Sequence, residues 1–186
     1  MHSLIAVDAT GRPLTPSIIW ADNRAADIAE KIYAKNRALV CYQRTGVPVH
    51  AMSPFCKLQW LKENQRDLFD RACKFIGIKE YIFHKLFGVW VVDVSIAAAT
   101  GLMNRDTLRW DSEMLEQAGI STDLLSQIVE TDKSFYGARV FPSLKNIPFI
   151  IGGSDGAMAN LGATEEPGTL VVTVGTSRAV KVTSLP

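Results

Sequence analysis

Histidine and cysteine are both scarce in this 186-residue chain, and what there is of them is scattered. His2, His50 and His84 lie far apart, without neighbouring ligands at metal spacing, so no structural metal is expected. Cys41, Cys56 and Cys73 are odd in number and form no C-x-x-C pair. They read as reduced, mostly buried thiols rather than a disulfide framework. No apolar run exceeds strand length, and no basic-apolar-small pattern opens the chain, which speaks against a transmembrane helix or a signal peptide and for a cytoplasmic protein away from membranes. Charge of one sign is missing too. With 20 basic against 19 acidic residues, a net charge of +1 offers nothing to a polyanion, and nucleic acid is not an expected partner. Internal repeats, low-complexity tracts and heptads are absent, which excludes a solenoid or a coiled coil.

What remains is ordinary globular composition, 47% hydrophobic and 21% charged, in a length that suits one domain or one domain and part of another. The most informative stretch runs from Phe149 to Val180. An apolar run ends on Gly152-Gly153 and places Ser154 and Asp155 just past a strand, ahead of the small-residue helix GAMANLG. In open α/β sheets ligands sit beyond such strand ends. Asp155 has two readings: a helix N-cap taking orphan backbone N–H groups, or a carboxylate serving a ligand. Spacing alone favours the cap. After a polar loop the chain enters LVVTV, turns at Gly175-Thr176-Ser177 and returns as RAVKV, the pattern of a hairpin. A small-residue turn of this kind either connects two strands and nothing more, or lets N–H groups and hydroxyls approach a phosphate.

Upstream, Ser3 to Val7 and Leu14 to Trp20 read as a β-hairpin around a turn at Gly11-Arg12-Pro13. Its second strand ends in Trp20-Ala21-Asp22-Asn23-Arg24. Asp22 or Asn23 can cap the next helix, Ala25 to Val40. The same cluster also suits a polyol, because an indole packs on the C–H face of a sugar while charged groups take its hydroxyls or carboxylate. Ser53 and Pro54 open a further helix in which Phe55, Leu58 and Leu61 face a core; Lys57 can face either solvent or a ligand, and solvent is the expectation. Helices follow at Arg66 to Cys73 and Lys79 to Phe87, the latter stopped by Gly88. VWVVD reads as a strand, Ser95 to Gly101 as a compact small-residue helix, and Ser112 to Ala118 and Ser121 to Val129 as short capped helices. Thr131 to Asn146 reads as a surface connection with strand character around Ala138 to Phe141.

These pieces, in this order, resemble a known family. Gly152-x-x-Asp155 followed by Gly162 and then TVGTS is similar to the centre of the FGGY carbohydrate kinases. MHSL, WADNR, TGVPVH followed by KLQWL, and SIAAATGL followed by a Trp-Asp pair also resemble that family in order. MHSLIAVD, IIWADNRA and IKEYIFHKLFG are most similar to its gluconate-phosphorylating branch, with xylulose kinases next. The resemblance implies an α/β chain of the ribonuclease H-like, actin-like ATPase fold, with residues 1–163 forming the sugar-binding domain without its first strands and 164–186 beginning the nucleotide-binding domain. It implies an ATP-dependent kinase acting with Mg²⁺ on a sugar or sugar acid, D-gluconate giving 6-phosphogluconate, with a homodimer as one candidate assembly. On that resemblance Asp155 is the catalytic base. Met1, His2, Trp20, Asp22 and Arg24 line the sugar pocket, and Gly175, Thr176 and Ser177 contact ATP phosphates. The family's upstream Asp-x-Gly hairpin and its downstream adenine-binding Gly-Gly region are not in the sequence. An internal fragment, inactive on its own, is therefore expected. The alternative from another class is a non-catalytic sugar-binding or interaction module derived from such a kinase.

Overall fold

The structure, a computed structural model, describes residues 1–163, 166–174 and 178–182. It divides into two compact units, Met1–Gly152 and Gly153 onward. Both helices and strands build the first unit, in keeping with the expected α/β class.

The first strand, β1 (Ile5–Val7), is wholly buried. The expected hairpin forms only in part. Leu4 and Ile18 exchange backbone hydrogen bonds of 3.0 and 2.9 Å, and Leu14 donates to Ala6 at 2.8 Å, but the pairing stays at isolated bridges. Prolines at 13 and 16 have no N–H to give to a ladder, which explains the interruption. The turn itself is as expected: Asp8 Oδ1 accepts from the N–H groups of Thr10 and Arg12, at 2.8 and 3.0 Å, and Gly11 has φ +73°.

The predicted helix from Ala25 to Val40 is two helices, α1 (Ala26–Ala34) and α2 (Ala38–Thr45). Asn36, at φ +55°, breaks the run in the left-handed region that asparagine tolerates better than most residues. Gly46 then closes α2 at φ +71°. The third helix, α3 (Pro54–Asn64), starts as the sequence indicated, with Ser53 accepting from Cys56 N–H and proline in its first turn. Then come α4 (Arg66–Arg71) and β2 (Lys74–Ile76), and β2 supplies the regular antiparallel partner of β1. α5 (Ile78–Phe87) ends at Gly88, φ +74°.

β3 (Val91–Asp93) leads directly into α6 (Val94–Ala99), capped by Asp93, whose carboxylate accepts from the N–H groups of Ser95 and Ile96. α7 (Ser112–Ala118) is capped by Asp111. Ser121 to Val129 is not a helix. It forms one 3-10 turn, Thr122–Leu124, and then β4 (Gln127–Val129), which pairs in parallel with β3. Ile128 and Val129 are β-branched, and alternation over so short a span cannot separate a strand from a helical turn. Strand character in the following connection sits earlier than expected, at β5 (Ser134–Phe135), which pairs antiparallel with β6 (Phe149–Ile150).

The main core gathers Leu4 just before β1, Ile18 bridged to it, Phe75 of β2, and Ile28, Phe55, Leu58, Leu61 and Met114 from helices α1, α3 and α7. A second cluster of Phe83, Phe87, Phe135 and Phe149 seals α5 against the β5–β6 pair, with ring centroids 5.2 to 5.6 Å apart. The second unit holds α8 (Asp155–Ala163) and the hairpin of β7 (Leu170–Val174) with β8 (Arg178–Val182), paired as the sequence predicted from Leu170 opposite Val182 to Val174 opposite Arg178. Among the described residues no helix is long and apolar enough to cross a membrane.

Glu80 in the first turn of α5 is buried, and its carboxylate accepts from Gly77 N–H. Burial pushes its pKa from 4.5 up to about 7, against the pull of that amide. The folded state therefore holds the proton more tightly than the unfolded chain. The stability this contributes is complete below about pH 4.5 and is lost as pH rises through about 7. In Glu80→Gln, a neutral isostere, the melting temperature relative to wild type should rise by a few degrees between pH 5 and pH 8. A difference that does not change with pH in paired thermal melts would contradict this.

Candidate functional site

Lys57, expected at the surface, is completely buried on α3. A lysine there must find acceptors for its ammonium protons. It finds three backbone carbonyls: His2 at 2.7 Å, Ile18 at 3.2 Å and Ile19 at 2.9 Å. One side chain thus joins two segments sixteen residues apart, and these are the segments that carry every residue expected on the sugar side. Burial, the largest influence, brings its pKa down to about 8; Asp22 opposes that fall and Arg24 adds to it.

The N-terminal segment is held from a second direction. His2 has φ +57°, an uncommon conformation for a residue with a Cβ, and its Nδ1 lies 3.1 Å from the carbonyl oxygen of Ala99 at the end of α6. Met1 is 47% exposed beside it. Beyond Ile19 the backbone turns, with Asp22 N–H donating to the Ile19 carbonyl. Trp20 presents its ring to solvent at 64% exposure. Asp22 and Arg24 form a two-pronged ion pair, Nε to Oδ1 at 2.9 Å and Nη2 to Oδ2 at 2.7 Å, while Arg24 N–H donates to the same carboxylate at 3.0 Å. The bonds from Arg24 hold the Asp22 carboxyl below its usual range, and Asp22 in turn raises Arg24. The Arg24 guanidinium lies over the Trp60 ring, 5.0 Å from its centroid, so the fork is held along one edge by Asp22 and on one face by the indole.

A small apolar cavity of about 50 Å³ lies behind Met1 and His2, lined by Leu4, Leu58, Ile96 and Leu102 among others. Ligand pockets run to about 300 Å³ and above. This cavity is far smaller, and Trp20, Asp22 and Arg24 do not line it.

Asp155 belongs to the second unit, where it is the first residue of α8 and exposed. The cap of that helix is its neighbour: Ser154 Oγ accepts from Ala157 N–H at 3.3 Å, and the Ser154 carbonyl accepts from Met158 N–H at 2.9 Å. Ser154 therefore does the capping that spacing assigned to Asp155. Gly175, Thr176 and Ser177 lie outside the described residues. Among the described residues no group of three or more histidine, cysteine, aspartate or glutamate side chains could hold a metal ion.

A family profile described as "FGGY family of carbohydrate kinases, N-terminal domain" matches residues 1–162. The chain belongs to the FGGY family of carbohydrate kinases. A gluconokinase of Bacillus subtilis (strain 168) is 43% identical to this FGGY chain over 187 residues, an alignment that covers 97% of the chain and 36% of the relative. Two solved structures from Lactobacillus acidophilus, a gluconate kinase and a ligand-bound xylulose kinase, each superpose with TM-score 0.92 at 36% identity, covering 97% of this chain and 38% of theirs. The FGGY chain therefore spans little more than a third of the length of these relatives.

Sequence reasoning missed Lys57 and Trp60 in this FGGY chain. No residue-type pattern marks Lys57 as buried, because its three partners are backbone carbonyls. Lys57→Met should remove the charged donor from three carbonyls, of which those of Ile18 and Ile19 keep the N–H bonds from Leu4 and Asp22, at about 1.5–3 kcal/mol for each charge-assisted hydrogen bond lost. The expected result in urea unfolding is a loss of at least about 2 kcal/mol, smaller in Lys57→Arg, which keeps the charge. Wild-type stability in Lys57→Met would show that the ammonium holds nothing.

Proposed function

We propose that this chain forms the acceptor side of an ATP-dependent carbohydrate kinase, with D-gluconate as the sugar acid and 6-phosphogluconate as the product. The carrying observation is that one buried ammonium holds the carbonyls of His2, Ile18 and Ile19, in the segments that carry Met1–His2 and Trp20–Arg24, in a chain of the FGGY family. The exposed indole of Trp20 offers a flat apolar face to the C–H groups of a sugar. Asp22, held ionised by Arg24, is an acceptor for hydroxyl protons. Two cations, Lys57 and Arg24, stand against the one carboxylate of Asp22, and that surplus of positive charge suits the carboxylate of an aldonate better than a neutral polyol. The likeness to a gluconokinase supports the same choice. Xylulose is the second reading, supported by an equal structural likeness to a xylulose kinase.

Asp155 is proposed as the general base. As the sugar hydroxyl attacks the γ-phosphorus, an O–P bond forms, the bond to the ADP oxygen breaks, and the hydroxyl proton passes to the Asp155 carboxylate. Such transfers proceed through a loose transition state, so the carboxylate orients the hydroxyl as much as it deprotonates it. Ser154 frees Asp155 for this by taking the helix cap. Gly175, Thr176 and Ser177 are proposed to hold the phosphates of ATP, whose Mg²⁺ neutralises charge on the transferring group.

In a coupled assay of the intact protein with ATP and Mg²⁺, Asp155→Asn should lower kcat by about 10²–10⁴-fold with little change in sugar KM. An unchanged kcat refutes the base. Across gluconate, xylulose, glycerol and ribulose, gluconate should give the highest kcat/KM, and a higher value for xylulose would reassign the acceptor.

A further inference from the structure

Lys79 occupies the first turn of α5, the end of a helix where a cation is electrostatically disfavoured. Its partners explain its presence there. The ammonium donates to Asp93 Oδ2 at 2.6 Å and to the Gly152 carbonyl at 3.0 Å. Asp93 is completely buried, and its other oxygen, Oδ1, is engaged by Ser95 N–H, Ile96 N–H and the Ser95 hydroxyl. The carboxylate is therefore fixed by the start of α6 and cannot follow the lysine if it moves. Lys79 in turn reaches the last residue of the first unit.

Gly152 is anchored by its neighbour on one side: Ile151 is buried, and its N–H donates to the Lys133 carbonyl at 3.0 Å. On the other side come Gly153, the cap Ser154 and Asp155. Gly152 has φ +66°, which only glycine adopts freely, and nothing stands within 4 Å of where a Cβ would be. Three residues of chain reach at most about 11 Å. A charge-assisted bond on the Gly152 carbonyl therefore restricts where the chain can deliver Asp155.

We propose that Lys79 is a positioning residue for Asp155: countered by buried Asp93, it pins the Gly152 carbonyl and fixes the point from which the chain enters α8. The proposal rests on Asp155 being the base. An ion pair that served only stability would change the amount of folded protein and leave the turnover of each folded molecule unchanged. A positioning role predicts a loss of kcat with substrate affinity retained.

The test combines steady-state kinetics of the intact protein with amide hydrogen exchange over residues 153–157. Lys79→Met should lower kcat about 10- to 100-fold, leave the sugar KM within about twofold, and speed exchange in that stretch. Lys79→Arg, which keeps a donor and the charge, should recover most of kcat. Because Lys79→Met leaves the Asp93 charge buried and unpaired, the double variant Lys79→Met/Asp93→Asn serves as a second test. It removes both charges while the asparagine oxygen can still cap α6, and it should show the same kcat loss. Wild-type kcat in the folded double variant, or unchanged exchange over 153–157, overturns the proposal. Full activity in Asp155→Asn would refute the base alone, because exchange reports the tether independently of the chemistry.

Discussion

A protonated amine with no access to water must be surrounded by acceptors, and at Lys57 those acceptors are main-chain carbonyls from two separate parts of the chain. The site depends on this constraint. Because the carbonyls belong to His2, Ile18 and Ile19, the residues that follow each of them along the backbone inherit fixed starting points. Trp20, Asp22 and Arg24 leave from one, and the Met1–His2 segment ends on the other. Arg24 then spends its remaining freedom on Asp22 and the Trp60 ring, so the surface is organised before any ligand arrives. Such an arrangement costs desolvation, and in the interior it holds only while the charge and its acceptors stay matched.

The same device recurs elsewhere in the first unit. Asp93 and Asp111 are both buried, both cap a helix, and each meets a cation that arrives from a different element: Lys79 from α5 and Arg44 from α2. For Asp111, burial alone would raise the pKa, but the hydrogen bonds from Arg44 and Asn104 outweigh it and hold the carboxyl down. Each pair ties a helix start, where orphan N–H groups need an acceptor, to a neighbouring helix. Among the described residues the strands pair in twos, and these ion pairs add one tie between α5 and α6 and another between α2 and α7.

Features that depend on local chemistry were legible in the sequence. Ser53-Pro54 and Gly88 mark helix ends because each residue's conformational or capping preference acts within one turn. The β7–β8 hairpin was legible from its alternation. Features that depend on distant partners were not. β1 meets its chain neighbour only at isolated bridges, where the prolines interrupt, and its regular partner β2, with Phe75 and Ile76 buried, lies seventy residues away. Lys57 looked like a surface lysine because its three acceptors are backbone atoms, which leave no residue-type signature. Asp155 and Ser154 are adjacent, both are good caps, and only geometry assigns the task to Ser154. The order of the short motifs nonetheless pointed to the FGGY family, because it samples the whole chain rather than any one turn.

The central claim is that one buried ammonium assembles the proposed sugar-binding surface. A crystal structure of this protein with D-gluconate bound tests it most directly. The account predicts gluconate oxygens within hydrogen-bonding distance of Asp22, Arg24 and the His2 segment, a sugar C–H face against Trp20, and Lys57 still bonded to the three carbonyls. Gluconate bound at residues remote from both segments, or bound there with Lys57 released from its carbonyls, would contradict it.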